Sequence, residues 1–485
     1  MLKRKALFAA YWSSAEVILR QGLQFGLSVV LARLLTPHEF GTIALLYLLA
    51  GIAGAIVDSG LSAALIQRRD VTKVDESSVF WFNLTVGAVI ALGLMAAAPV
   101  IASFFDQAIL VPLTAVLALT LLVGAIGSIH SALLTKQLEF RTQLKVSTFA
   151  TALSGLVAIV LAWRGFGVWA LAAQSLVATT TTTVSLWLFH RWRPDRVFSV
   201  VSVRKLFGFG GYMLIATLLD VAYRRLYTLL VGKLYGVGDL GLFGRAESVK
   251  QVPADLVGGL ARVALPAFVE AVHDKDQLHR GVRLALRSTM LINVPMMLGL
   301  AALAEPLVLT VFGPAWLPSA PILEILCLGG LLWPAQVINV NILMAQGHSH
   351  PLLRLEVVKK TLGMMLLAIG ALHGVTGIAW SQVAFSLLAF FMNSSYTKRY
   401  LGYGPIAQIR DFLPTILVSA PMAAIVSLAN GLLWLAPALK LSCLVLLGAS
   451  IFVGFSWVFR LVALQDAVAL LRNRRSEGSK LILSA

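Results

Sequence analysis

The amino-acid sequence predicts an all-α polytopic membrane protein: about 14 transmembrane helices in two pseudo-symmetric six-helix lobes, plus two extra C-terminal helices. Three observations carry this prediction. Of the 485 residues, 59% are hydrophobic and only 13% charged, whereas a soluble domain carries about 25% charged residues. Mean hydropathy is +0.86. Fourteen stretches reach the length of about 20 mostly apolar residues that a bilayer demands. Finally, the pattern of the first half returns 200 residues later.

Six windows make the first lobe (1–200): 8–35, 41–66, 78–104, 108–133, 144–163 and 167–190. Six more make the second (201–400): 206–232, 240–268, 284–304, 319–346, 354–373 and 375–396. The windows 412–431 and 438–462 belong to an appended segment, 401–485, that ends in a cytoplasmic tail. Lys3-Arg4-Lys5 precedes an apolar run without a small-residue cleavage site, so the first window is read as a retained span. Glu305–Phe312 is too short to cross and is expected at an interface.

Orientation follows from the loops. With both termini cytoplasmic, alternate connections collect 28 of the 39 Lys and Arg, and the opposite side holds Arg164, Lys233, Lys440 and little else. This is the positive-inside bias. The net charge of +17 is therefore topology, with no nucleic acid implied. Cys327 and Cys443 both lie in apolar runs, which argues against a disulfide framework or a thiolate metal site.

The repeat lays VVLARLLTPHEFG (29–41) over LLVGKLYGVGDLG (229–241), pairing Arg33 with Lys233, Glu39 with Asp239 and Gly41 with Gly241. Arg20 falls over Asp220, and Gln24 over Arg224. Six spans separate equivalent points, so the halves are parallel repeats. That arrangement places a substrate site between them.

Ionisable side chains at membrane depth cost several kcal/mol and face bundle interiors or wet cavities. The seventh and eighth windows hold Asp220, Arg224, Arg225, Arg245, Glu247, Lys250, Asp255 and Arg262, a surplus of two positive charges. The fork of Arg suits phosphate. Arg224, Arg245, Lys250, Arg262, Arg20 and Arg225 are therefore candidates to line a cationic path for a phosphate- or diphosphate-bearing substrate. Internal ion pairs that merely lock helices are the competing reading. Glu16, Arg20 and Gln24 share one face at i, i+4, i+8, and Asp220 and Arg224 repeat the acid–base step. Asp58, the lone acid of its span, could exchange H⁺ or Na⁺, pair with Arg20, or cap a helix restart near Gly60. With Glu16, Asp220, Glu247 and Asp255 it completes the set of coupling or ion-pair acids.

Gly236-Val237-Gly238-Asp239-Leu240-Gly241 fits G-x-G-x-x-G but lies in a turn between membrane helices, without the βαβ unit a dinucleotide site needs. There is no P-loop, and His348 and His350 have no ligand company. Every loop is about 20 residues or shorter and none carries an acid pair for general acid–base work. No catalytic residue, no metal and no cofactor is expected, and the chain is not read as an enzyme.

Four stretches resemble a known family: LARLLTPHEFG (31–41), LEFRTQLKVSTFATALSGLVAIVLAWRGFGVWAL (138–171), GLFGRAESVKQVPADLVGGLARVALPAF (241–268) and GPAWLPSAPILEILCLGGLLWPAQVINVNILMAQG (313–347). The chain resembles the polysaccharide transporter family, the flippases for lipopolysaccharide and exopolysaccharide repeat units within the multidrug/oligosaccharidyl-lipid/polysaccharide superfamily. The resemblance implies a multi-pass protein of the bacterial inner membrane. Its substrate would be a lipid-linked oligosaccharide on undecaprenyl diphosphate, moved from the cytoplasmic to the periplasmic leaflet by alternating access. It also implies membrane lipid as a partner, and a polysaccharide polymerase and chain-length regulator acting downstream; H⁺ or Na⁺ coupling is the possibility that Asp58 raises. A lipid II flippase of peptidoglycan synthesis is the alternative. A cation-coupled multidrug antiporter fits less well, because its cationic substrates favour acidic cavities.

Overall fold

The computed structural model describes residues 19, 21–58, 60–68, 70–347 and 349–466. Among the described residues, helices lie in all fourteen predicted windows. In the first half they are α1 (21–34), α2 (Pro37–Asp58) with its continuation α3 (Leu61–Gln67), α4 (Lys73–Phe105), α5 (Leu110–Lys136), α6 (Phe140–Trp163), α7 (Val168–Phe189) and α8 (Val200–Leu234). Then come α9 (Val237–Glu270), α10 (Lys275–Ala302), α11 (Ala304–Val311), α12 (Ala320–Gly330), α13 (Trp333–Ala345), α14 (Ser349–Gly370), α15 (Gly374–Leu401), α16 (Pro405–Leu432) and α17 (Pro437–Val458). No strand occurs among the described residues. Nine of the described spans are long and apolar enough to cross a membrane by length and composition alone. Arg354, Glu356, Lys359 and Lys360 hold α14 below that mark, and a run of five threonines does the same to α7.

Two spans break. Between α2 and α3, Gly60 takes φ +65°, and the Ser62 hydroxyl donates to the Asp58 carboxylate across the gap. Between α12 and α13 the freed carbonyls of Gly330 and Leu331 accept bonds of 3.1 and 3.0 Å from the buried Asn293 amide of α10. Backbone at membrane depth requires such partners, because no water supplies them.

The described chain divides into two compact units, residues 1–241 and 242–485. In the first unit α4 packs along α5, α5 along α7 and α6 along α7. Helix α8, placed by the sequence in the second lobe, packs here on α2, α3 and α4. Leu61, Leu65, Phe80, Ile129 and Leu206 make the core at that end. In the second unit α10 packs on α16, α12 on α15 and α14 on α15, and the appended α17 leans on α16 and α11.

The connections that the charge pattern assigns to one side do meet. In the first unit Lys73 pairs with Asp195 at 2.8 Å and Lys205 with Asp70 at 3.2 Å, joining loops 67–77 and 190–205. At the other end Lys233 donates to the Phe104 carbonyl at 2.6 Å and lies 3.4 Å from Asp106. There Thr36 and Glu39 close a reciprocal cap at the start of α2, with the Thr36 N–H donating to Glu39 Oε2 at 2.7 Å.

The repeat becomes physical at this turn. A Cβ on Gly41 would collide with the Val237 carbonyl, and one on Gly241 with the Pro37 carbonyl. The contacts are related by the same offset of 200, in both directions. Only glycine permits backbones to approach so closely, and the contact pins the end of α8 beside the start of α2.

Candidate functional site

The predicted cations sort into two places, one in each unit. On α8, Asp220 and Arg224 form an ion pair of 2.8 Å, with the Arg224 side chain 75% exposed. Exposure at membrane depth marks a wet surface. Arg225, about 100° around the helix, is half-buried, and its guanidinium lies over Gly51 of α2. The absence of a side chain at 51 opens that seat. Asp58 sits at the α2–α3 break and accepts from the Ser62 hydroxyl; no side chain caps the restart at Gly60, and its possible partner Arg20 lies outside the described residues.

On α9 the predicted group divides. Lys250 pairs with Glu247 at 2.8 Å and reaches the Gln382 carbonyl of α15 at 3.4 Å. The Lys250 side chain is 14% exposed and that of Glu247 37%. Glu247 Oε2 is enclosed with no hydrogen-bond partner. Arg245 is elsewhere in character: it is buried, with its guanidinium 4.8 Å from the Phe312 ring and 4.7 Å from the Trp316 ring. Such stacking anchors α9 to the turn after α11, and gives Arg245 a packing role that the sequence did not reveal. Asp255 accepts from Gln251 at 2.8 Å and lines a small cavity with Trp333 and Asn341. Glu16, Arg20 and the side chain of Arg262 lie outside the described residues.

Sequence reasoning missed a third feature. A groove of about 540 Å³ in the first unit is lined by Gln24, Thr151, Gln174, Ser175, Thr179 and Thr182, with Tyr47 and serines of α6 beside them. Gln174, Ser175, Thr179 and Thr182 share one face of α7, spaced i, i+1, i+5 and i+8. Among the described residues, none of these four side chains has a hydrogen-bond partner. Unsatisfied amides and hydroxyls at membrane depth require water or a hydroxylated ligand. The signal was the uncharged run Ala178-Thr179-Thr180-Thr181-Thr182-Thr183, which a search for charges passes over.

Chemically, the chain offers cations paired with acids of their own helix, one enclosed carboxylate oxygen and a neutral hydrogen-bonding groove. Nothing here resembles a nucleophile with its base. Binding and carrying an amphiphile with an anionic, hydroxylated head suits these groups.

The family model described as "Polysaccharide biosynthesis protein" matches residues 30–321. The teichuronic acid biosynthesis protein TuaB of Bacillus subtilis (strain 168) is 25% identical over 429 residues, covering 87% of this chain and 89% of that protein. The succinoglycan biosynthesis transport protein ExoT of Rhizobium meliloti (strain 1021) is 29% identical over 325 residues, 67% of this chain and 66% of ExoT. Among solved structures, the lipid II flippase MurJ in its inward closed conformation superposes with a TM-score of 0.74 at 14% identity, covering 92% of this chain and 98% of that one. That likeness is one of fold, an all-α polytopic bundle. With the family model spanning more than half of its length, the chain belongs to the polysaccharide biosynthesis protein family.

Proposed function

We propose that this multi-pass membrane protein is a flippase that moves undecaprenyl-diphosphate-linked oligosaccharide repeat units from the cytoplasmic to the periplasmic leaflet of the inner membrane, by alternating access. The observation that carries the reading is the set of cations at membrane depth, Arg224, Arg225 and Lys250, in a chain of a polysaccharide biosynthesis family. Arg224 and Lys250 are each paired with an acid of their own helix, Asp220 and Glu247, and a diphosphate would compete with that acid for the donor. The neutral groove of α7 suits the sugars, whose hydroxyls both donate and accept. Both termini lie in the cytoplasm, as the distribution of Lys and Arg requires.

Coupling to H⁺ or Na⁺ belongs to the same proposal, with Glu247 the best-suited acid because one of its oxygens is enclosed without a partner. No bond is made or broken, so the protein is not an enzyme in this reading. A polymerase and a chain-length regulator act on its product. The test is the sidedness of lipid-linked oligosaccharide in cells depleted of the protein. Repeat units accumulating on the cytoplasmic leaflet are expected; accumulation of lipid II instead would overturn the assignment in favour of peptidoglycan synthesis.

A further inference from the structure

A cleft of about 1060 Å³ lies where the start of α10, the end of α15, the start of α16 and the residues after α17 meet in the second unit. Asp411 forms its floor. This buried carboxylate accepts two bonds of 2.8 Å from Arg283, one of 2.5 Å from Arg287 and one of 2.7 Å from the Tyr403 hydroxyl. Those four donors saturate it and fix both guanidinium groups, leaving their remaining N–H bonds for an outside acceptor. Beside it a buried lattice of Asn339, Thr397 and Gln408 ties α13, α15 and the first turn of α16 together.

The charge in this cleft does not balance. Lys398, Arg410 and Arg460 line it together with Arg283 and Arg287, and Asp466 stands 3.7 Å from Arg287 as the only acid near besides Asp411 among the described residues. Lys398, Arg410 and Arg460 form no ion pair with a described residue. The start of α16 opens on the same space without a side-chain cap, which adds partial positive charge. Its rim is apolar: Ile406, Phe459 and Val462 line it while 83%, 67% and 51% exposed. An occupant must therefore join an anionic head to hydrocarbon.

We infer that this cleft binds the phosphate head group of an anionic membrane lipid, separate from the route taken by the translocated substrate. Guanidinium forks take the phosphate oxygens in parallel pairs, and the acyl chains lie along Ile406, Phe459 and Val462. A lipid seated there bridges α10, α16 and the segment after α17, so it cements the appended helices to the second unit. That the lipid comes from the cytoplasmic leaflet rests on the orientation proposed above; the binding itself does not.

The test uses the full-length protein in detergent, titrated with phosphatidylglycerol, phosphatidylcholine or inorganic phosphate and read by native mass spectrometry. Phosphatidylglycerol is expected to be retained in preference to the zwitterionic lipid. Replacing three cations (K398A/R410A/R460A) should weaken retention about 100-fold, at roughly a factor of five for each charge. The milder pair R410A/R460A should weaken it about 25-fold by the same reckoning, and it leaves the Asp411 cluster intact if the triple variant folds poorly. A charge-matched variant in the first unit, K136A/R141A/K145A, should bind as the unmodified protein does. Equal retention by the double variant, or an equal loss in the first-unit control, would overturn the site. Displacement of the lipid by millimolar inorganic phosphate would make it a free-phosphate site and overturn the lipid assignment.

Discussion

Replacing Lys250 by Met separates a substrate ligand from a structural ion pair. In the structure Lys250 is 14% exposed and Glu247 37%, at 2.8 Å. Stripping one member of a fully buried pair costs about 3–5 kcal/mol, whereas exposed pairs contribute about 0–1 kcal/mol. The partial exposure of Glu247 places Lys250→Met between them, at a cost of about 1–3 kcal/mol. The double variant E247Q/K250M removes both charges and should recover most of that stability. Binding of a polyprenyl diphosphate to the purified protein is the discriminating assay. A charge-assisted bond contributes about 1.5–3 kcal/mol, so both Lys250→Met and the double variant should bind about 10- to 150-fold more weakly. Glu247→Gln, which releases the ammonium from its partner, should bind at least as well as the unmodified protein. Full binding by E247Q/K250M would refute the placement of Lys250 on the substrate path. An unchanged thermal midpoint for Lys250→Met would refute the ion-pair reasoning.

Four further outcomes are expected. Gly241→Leu and Gly41→Leu each drive a side chain into the opposing carbonyl, at about 1–3 kcal/mol or more, and should cut the folded yield measured by size-exclusion fluorescence. Arg224→Ala should leave stability within about 1 kcal/mol, as for exposed pairs, and still reduce export. Arg245→Met should instead lower the protein level, because it empties a site stacked between Phe312 and Trp316, with Arg245→Lys intermediate. Burial holds the pKa of His190, at the end of α7, below its ordinary 6.5, with Arg193 acting in the same direction and Glu139 opposing. The unfolded chain then binds the proton more readily, so this contribution to stability is present above pH 6.5 and is lost as pH falls through the folded value. The thermal midpoint should drop below pH 6.5, and His190→Gln should flatten that drop.

The sequence by itself determined the class and the windows, and it predicts the sidedness of the loops. Each rests on a property of single residues summed over a segment: transfer cost into hydrocarbon, and the placement of Lys and Arg. It also exposed the offset of 200, because equivalent turns carry equivalent residues, and the pairing of Asp220 with Arg224, because one helical turn brings them together. Tertiary structure alone decided which charges are free to meet a ligand. Arg245 and Lys250 are five residues apart on one helix and look alike as letters. One is stacked between Phe312 and Trp316, more than 60 residues away in sequence, and the other reaches Gln382 beside an enclosed carboxylate. The same holds for the groove of α7 and the cleft around Asp411, which are assembled from helices distant in the chain. Burial and electrostatics at such points depend on what packs across from a residue, and no local pattern encodes that.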